Sequence, residues 1–194
     1  MTRAVKRNST AARQGWHPGV LAESGRMNQP SPTSASLTAA PASAPAPAEA
    51  RLQPEQRGAY PMFRAIATRW SDNDAYGHVN NVIYYHWFDT VVNSHLVAQG
   101  ALDIAQGTTI GLVVETHCNY FTPLAFPQGV ELGLRVAHLG RTSVRYEIGV
   151  FAEGAATAAA QGHFIHVYVD RATRRPQALP PVLLQALQPL RAAG

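Results

Sequence analysis

Between Val130 and Val150 the chain alternates with a period of two. Val130, Leu132, Leu134 and Val136 interleave with Glu131, Gly133, Arg135 and Ala137; past a turn at residues 139–141, Val144, Tyr146, Ile148 and Val150 interleave with Arg145, Glu147 and Gly149. A period of two sends successive side chains to opposite faces of a strand. Two such runs joined by a short connection pair antiparallel, with one face buried and one polar. Register is constrained too: Arg135 opposite Glu147 is attractive, whereas a shift that sets Arg135 against Arg145 is repulsive.

The flanking segments extend this pattern. Residues 62–70 predict a first strand, carrying Phe63, Ile66, Thr68 and Trp70. Residues 110–122 predict another, with Ile110, Leu112, Val114, Thr116, Cys118 and Tyr120 on one face. An Ala-rich strand is expected over residues 157–169. A helix is expected from Asn80 to Gln99, with Asn80 as N-cap and Gly100 as the helix-ending glycine. Its apolar residues (Val82, Ile83, Tyr84, Trp87, Phe88, Val91, Val92, Leu96, Val97) cover most of the circumference, leaving His86, Asp89, Thr90 and Asn93 as a narrow polar stripe. Such a helix needs protein on most sides, and Asp89 and Asn93 exclude a lipid setting. A short helix over residues 182–192 closes the chain. The expected architecture is α+β, in the order β-α-β-β-β-β: one long central helix wrapped by a curved five-stranded antiparallel sheet. Open sheet edges are commonly covered by a second copy, so a homodimer, or a dimer of dimers, is expected.

Composition narrows the function classes. Of 194 residues, 46% are hydrophobic and 14% charged, which suits a packed core and excludes a wholly disordered chain. No apolar run has the length of a transmembrane helix, and the single cysteine, Cys118, excludes a disulfide framework or a cysteine zinc cage. The net charge of +4 comes entirely from the start of the chain: residues 1–58 hold seven basic and three acidic side chains, residues 59–194 nine of each. A neutral domain lacks the electrostatic footprint of a nucleic-acid binder. Residues 27–58 contain six prolines among Ala and Ser and no aromatic residue, so residues 1–58 are expected to form a disordered tail ahead of a domain over 59–194. The basic, acid-poor residues 1–26 also fit a transit peptide, or a start misassigned ahead of Met27. Otherwise a soluble cytoplasmic protein is expected.

The candidate chemistry lies in Arg69-Trp70-Ser71-Asp72-Asn73-Asp74-Ala75-Tyr76-Gly77-His78-Val79-Asn80-Asn81. Two carboxylates precede a helix N-terminus, where backbone N–H groups lack intrahelical partners and carry partial positive charge. That combination can stabilise an oxyanion beside a general base or nucleophile. On spacing alone, Asp72 and Asp74 read first as plain turn and helix caps, because Asp and Asn are favoured there for local reasons. Glu115, in a strand and out of phase with its apolar face, is a second candidate carboxylate. The histidines show no metal-ligand spacing: His86 and His95 do not share a helix face, and His163 and His166 point to opposite sides of a strand. Neither metal nor cofactor is expected.

Asp72-x-Asp74-x-x-Gly77-His78-Val79-Asn80-Asn81, followed by a helix containing Tyr84-Tyr85, resembles the hotdog-fold acyl-CoA thioesterases of the 4-hydroxybenzoyl-CoA thioesterase type. The resemblance covers about residues 62–170 and extends to Asn119-Tyr120-Phe121-Thr122-Pro123-Leu124. It implies a hotdog fold and acyl-CoA hydrolysis, with Asp74 as the catalytic carboxylate and the backbone N–H of Asn81 polarising the thioester carbonyl. Related enzymes carry Tyr or His at that last position. Gly77, His78 and Asn80 are implied to meet the substrate. Two alternatives stand beside this reading. A non-catalytic acyl-thioester-binding module gains nothing from Asp74. A hotdog hydratase resembles a pattern with four residues between Asp and His, whereas Asp74 and His78 have three between them and Asp72 and His78 have five.

Overall fold

The computed structural model describes residues 52–191. The expectations for residues 1–51, including the targeting segment and the alternative start, lie outside the described residues. The elements run β1 (Met62–Ala67), α1 (Asn81–Ala98), β2 (Thr109–Tyr120), β3 (Gly129–Leu139), β4 (Ser143–Ala152), β5 (Ala160–Asp170) and α2 (Pro181–Leu187). The five strands form one antiparallel sheet in the order β1-β3-β4-β5-β2.

The alternating runs behave as their periodicity requires. Val130, Leu132, Leu134 and Val136 of β3 and Val144, Tyr146, Ile148 and Val150 of β4 are all buried on one face. Arg135 pairs with Glu147 across the ladder, and their side chains meet at 2.6 Å. The 18-residue α1 lies against this face, burying Tyr84, Trp87, Phe88, Val91, Val92 and Leu96. Phe88 meets Phe164 of β5 edge to face, with centroids 5.6 Å apart. Full burial of side chains such as Phe88, Val91 and Val92 contributes roughly 1.5–3 kcal/mol each.

Local chemistry sets the ends of α1. The Asn80 side chain accepts from the Val82 N–H (3.1 Å), satisfying one of the first-turn donors. At the other end Gly100 adopts φ +65°, its N–H bonds to the Val97 carbonyl and the Ala101 N–H reaches the Leu96 carbonyl. Those paired bonds make a Schellman cap, whose left-handed residue favours glycine.

Four departures from the sequence pattern have physical causes. β1 ends at Ala67, opposite Gly129 where β3 begins, and Trp70 falls in a 3-10 turn (Trp70–Asp72) with 81% of its surface exposed. β2 contains a bulge: Val113 pairs with His166 and Glu115 with Ile165, so Val114 has no cross-strand partner and the alternation changes phase. α2 stops at Leu187 and passes into a 3-10 turn (Gln188–Leu190), because Pro189 cannot continue a helix. The fourth concerns the boundary at residue 59, which falls inside a packed segment.

Residues 52–60 form a strap on the outer sheet face. The Glu55 N–H donates to Gln161 Oε1 (2.7 Å) and the Ala158 N–H to the Glu55 carbonyl (2.9 Å). The Arg57 guanidinium is bidentate on Glu131 (2.7 and 2.8 Å) and lies 4.0 Å above the Phe63 ring. Its hydrogen bonds hold the Glu131 carboxyl down to about 2. The packed domain therefore includes residues 52–58. Among the described residues no helix is long and apolar enough to cross a membrane.

Candidate active site

The segment between β1 and α1 is built by its own side chains. Asp72 is 1% exposed, and both its oxygens are taken by Arg69: the backbone N–H donates to Oδ2 (2.8 Å) and the guanidinium to Oδ1 (2.9 and 3.0 Å). The Asp72 carbonyl accepts from the Asn80 N–H (2.8 Å) and closes the loop. The loop is pinned to the chain beyond β2 by Val79 N–H to Leu124 carbonyl (2.7 Å) and Phe126 N–H to Asn73 Oδ1 (3.0 Å). Asp72 is thus a structural cap.

Asp74 has a different environment. Its Oδ1 accepts from the Tyr76 N–H (2.8 Å) and, more weakly, from the His78 N–H (3.4 Å), an Asx turn that orients the carboxylate. Asp74 N–H donates to the His78 carbonyl (2.8 Å), so these two residues are linked through backbone. Gly77 sits between them at φ +80°, a conformation that explains glycine here without reference to any ligand.

Asp74, His78 and Asn81 line one cleft of about 540 Å³ with Val79, Tyr84, Tyr120, Phe121, Thr122 and Pro123. Asn81 is the first residue of α1, so its N–H has no acceptor within the helix and points out of the helix N-terminus. Tyr84 both packs on Trp87 (centroids 5.2 Å apart) and walls the cleft, where its ring meets Tyr120 edge to face at 5.0 Å. Burial pushes the Tyr84 phenol up to about 12 and raises that of Tyr120, so both rings present neutral hydroxyls. The Cys118 thiol, pushed up by burial to about 11, stays protonated and is no nucleophile at neutral pH. A second cleft, about 560 Å³, shares Tyr120, Phe121 and Thr122 with the first and is otherwise lined by Leu52, Gln53, Pro54 and Asn119.

Asn80 and Gly77 are not among the lining residues of the first cleft; they shape the loop and start the helix. Glu115 is also absent from that lining. It is 57% exposed and bonds His163 (2.8 Å), whose other ring nitrogen meets the Arg145 guanidinium (3.0 Å). Among the described residues no group of three or more His, Cys, Asp or Glu is placed to hold a metal ion. Tyr120 to Pro123 in the first cleft's wall belong to the resembling motif, whereas Leu52 to Pro54 in the second cleft's wall carry no sequence signal.

The sequence profile of the thioesterase-like superfamily matches residues 68–187, spanning the loop, α1, the whole of β2 to β5 and α2. The chain belongs to that superfamily. Among solved structures, the PA5185 protein of Pseudomonas aeruginosa strain PAO1 is 52% identical, with a TM-score of 0.72 over 73% of this chain and 99% of that one. The PA2801 protein of Pseudomonas aeruginosa is 25% identical (TM-score 0.60, covering 66% and 98%). A 1,4-dihydroxy-2-naphthoyl-CoA thioesterase from Synechocystis is 16% identical (TM-score 0.59, covering 64% and 93%), a likeness of fold. No curated protein matches the chain. As a member of the thioesterase-like superfamily the protein has the hotdog arrangement, with an α1 of 18 residues against five antiparallel strands.

Proposed function

We propose that the protein is an acyl-CoA thioesterase that hydrolyses its substrate to a free acid and CoA at the Asp74 cleft. One observation carries this reading: Asp74 and the first residue of α1 line the same cleft, in a chain whose superfamily match spans both. The Asx turn fixes Oδ1 and leaves the second carboxylate oxygen for chemistry. With the thioester carbonyl oxygen against the Asn81 N–H, attack at carbon moves the carbonyl electron pair onto oxygen, where that N–H and the helix dipole stabilise it. The attacking atom is a water oxygen whose proton goes to Asp74, or the Asp74 carboxylate itself, followed by hydrolysis of the anhydride. Collapse in either route breaks the C–S bond and releases CoA thiolate, which takes up a proton. Water is the second substrate, so the reaction needs no cofactor. His78, on the cleft wall, contacts the substrate, while Gly77 and Asn80 hold the loop and the helix start.

The active form is a homodimer. β2 is a sheet edge that exposes Leu112, Val113 and Val114, and such an edge is covered by pairing with a second copy.

Thiol release from a panel of acyl-CoA esters tests the assignment. The native protein is expected to turn over at least one ester, and Asp74→Asn to lose about 10²- to 10⁴-fold in kcat, the range for removal of an acid–base group. Full activity in a folded Asp74→Asn protein contradicts it.

A further inference from the structure

Arg64 stands on β1 between Met62 and Ile66, and by strand parity all three side chains belong to the helix face of the sheet. Met62 and Ile66 pack against the core, whereas Arg64 is exposed and makes no hydrogen bond or ion pair among the described residues. It opens on a groove of about 290 Å³ between β1 and α1, whose other polar walls are Arg69, His86, Trp87 and Thr90. This groove shares no lining residue with the Asp74 cleft, and β1 is the sheet edge opposite β2. We propose that the groove is a second binding site, for a small organic molecule bearing one carboxylate.

The chemistry of the lining is that of a donor set. Arg69 spends Nε and Nη2 on Asp72, which leaves Nη1 for a ligand. Asp72, 1% exposed, fixes that guanidinium in place and so lowers the ordering cost of a further bond to it. Trp87 is 2% exposed, and its indole N–H, which can only donate, has no acceptor among the described residues. No carboxylate lines the groove: Asp72 is taken by Arg69, and Asp89 acts on His86 from outside the lining. With Arg69 neutralised by Asp72, the one uncompensated charge in the lining is that of Arg64, which matches a ligand of single negative charge. A carboxylate presents two oxygens in one plane, the arrangement an arginine fork meets best. Ile66, Ala67 and the Trp87 ring supply apolar surface for the group that carries it.

A second copy of the chain does not fit this edge. Antiparallel pairing of β1 with itself would bring the Arg64 and Arg69 side chains of both copies to one seam, and like charges across strands are repulsive. An inward-facing charge on an edge strand keeps that edge from pairing, so the groove stays open in the proposed homodimer, which uses β2.

The test is an NMR titration of the full chain, read at the indole N–H of Trp87, with the signals of the other two tryptophans assigned through Trp16→Phe and Trp70→Phe. Benzoate is the probe, and benzamide, similar in shape but uncharged, is its control. Benzoate is expected to shift the Trp87 signal to saturation with a Kd on the order of 1 mM, the scale for so small a ligand, while benzamide at the same concentrations leaves it in place. Arg64→Gln, a change at an exposed position, is expected to weaken benzoate by about tenfold, as for loss of a charged hydrogen bond. A Trp87 signal that benzoate does not move, that benzamide moves equally, or that titrates unchanged in Arg64→Gln overturns the proposal. CoA is titrated as well. A Trp87 signal that CoA leaves unmoved upholds a separate site; displacement of benzoate by CoA assigns the groove to the thioester substrate and overturns it.

Discussion

Asp72 and Asp74 stand two positions apart and meet opposite conditions. The first is buried under Arg69 with both oxygens engaged; the second keeps one oxygen in a turn and lines a cleft. Sequence supplied the pair, but only the fold separates them, because the difference lies in which carboxylate Arg69 can reach. His166 shows what burial does to a titratable group. It is 4% exposed between Tyr146 and Phe164, its Nε2 has no hydrogen-bond partner, and burial pushes it down to about 4 from an ordinary 6.5. Between those values the unfolded chain takes up a proton that the folded one does not. The stability present above pH 6.5 therefore falls as pH drops towards 4, by about 3 kcal/mol. His166→Phe is expected to flatten that part of the stability profile. Urea denaturation at pH 7, 5.5 and 4 checks this, and an unchanged slope contradicts it. Strand parity places His163 and His166 on opposite faces; the missing partner of His166 depends on neighbours far along the chain.

At the scale of elements, the runs that alternate most cleanly are the most legible. β3 and β4 bury the expected faces in the expected register because each residue's side follows from parity alone. The helix ends were equally readable, since Asn80 and Gly100 act within a few residues of themselves. Asn80→Ala is expected to cost about 1 kcal/mol by removing the cap on the Val82 N–H. Chemical denaturation measures this, and a loss below a few tenths of a kcal/mol would show the cap to be unimportant. The β2 bulge was not readable, because the apolar run passes through Val114 without a break; only pairing with β5 reveals the extra residue. The strap was hidden for a related reason. Its composition is that of a tail, and its order comes from Glu131, Arg135 and Gln161, which lie 74 to 106 positions away.

On the scale of the whole molecule, the proposed homodimer places its β2 edge next to the proposed catalytic cleft, whose wall includes Tyr120 at the end of that strand. Val114, 60% exposed at the bulge, is the residue at which a charge acts most directly on edge pairing. Val114→Lys is expected to shift the protein from dimer to monomer in light scattering while its circular dichroism stays native; a dimer of unchanged affinity would place the interface elsewhere. The central claim is that Asp74, and not the other candidate carboxylate, carries thioester hydrolysis. The most direct measurement is thiol release from the best acyl-CoA ester by native protein, Asp74→Asn and Glu115→Gln side by side, each verified as folded. A loss of about 10²-fold or more is expected for Asp74→Asn, and activity within about threefold of native for Glu115→Gln, the scale of a surface substitution. The reverse pattern, with turnover surviving in Asp74→Asn and lost in Glu115→Gln, would contradict it.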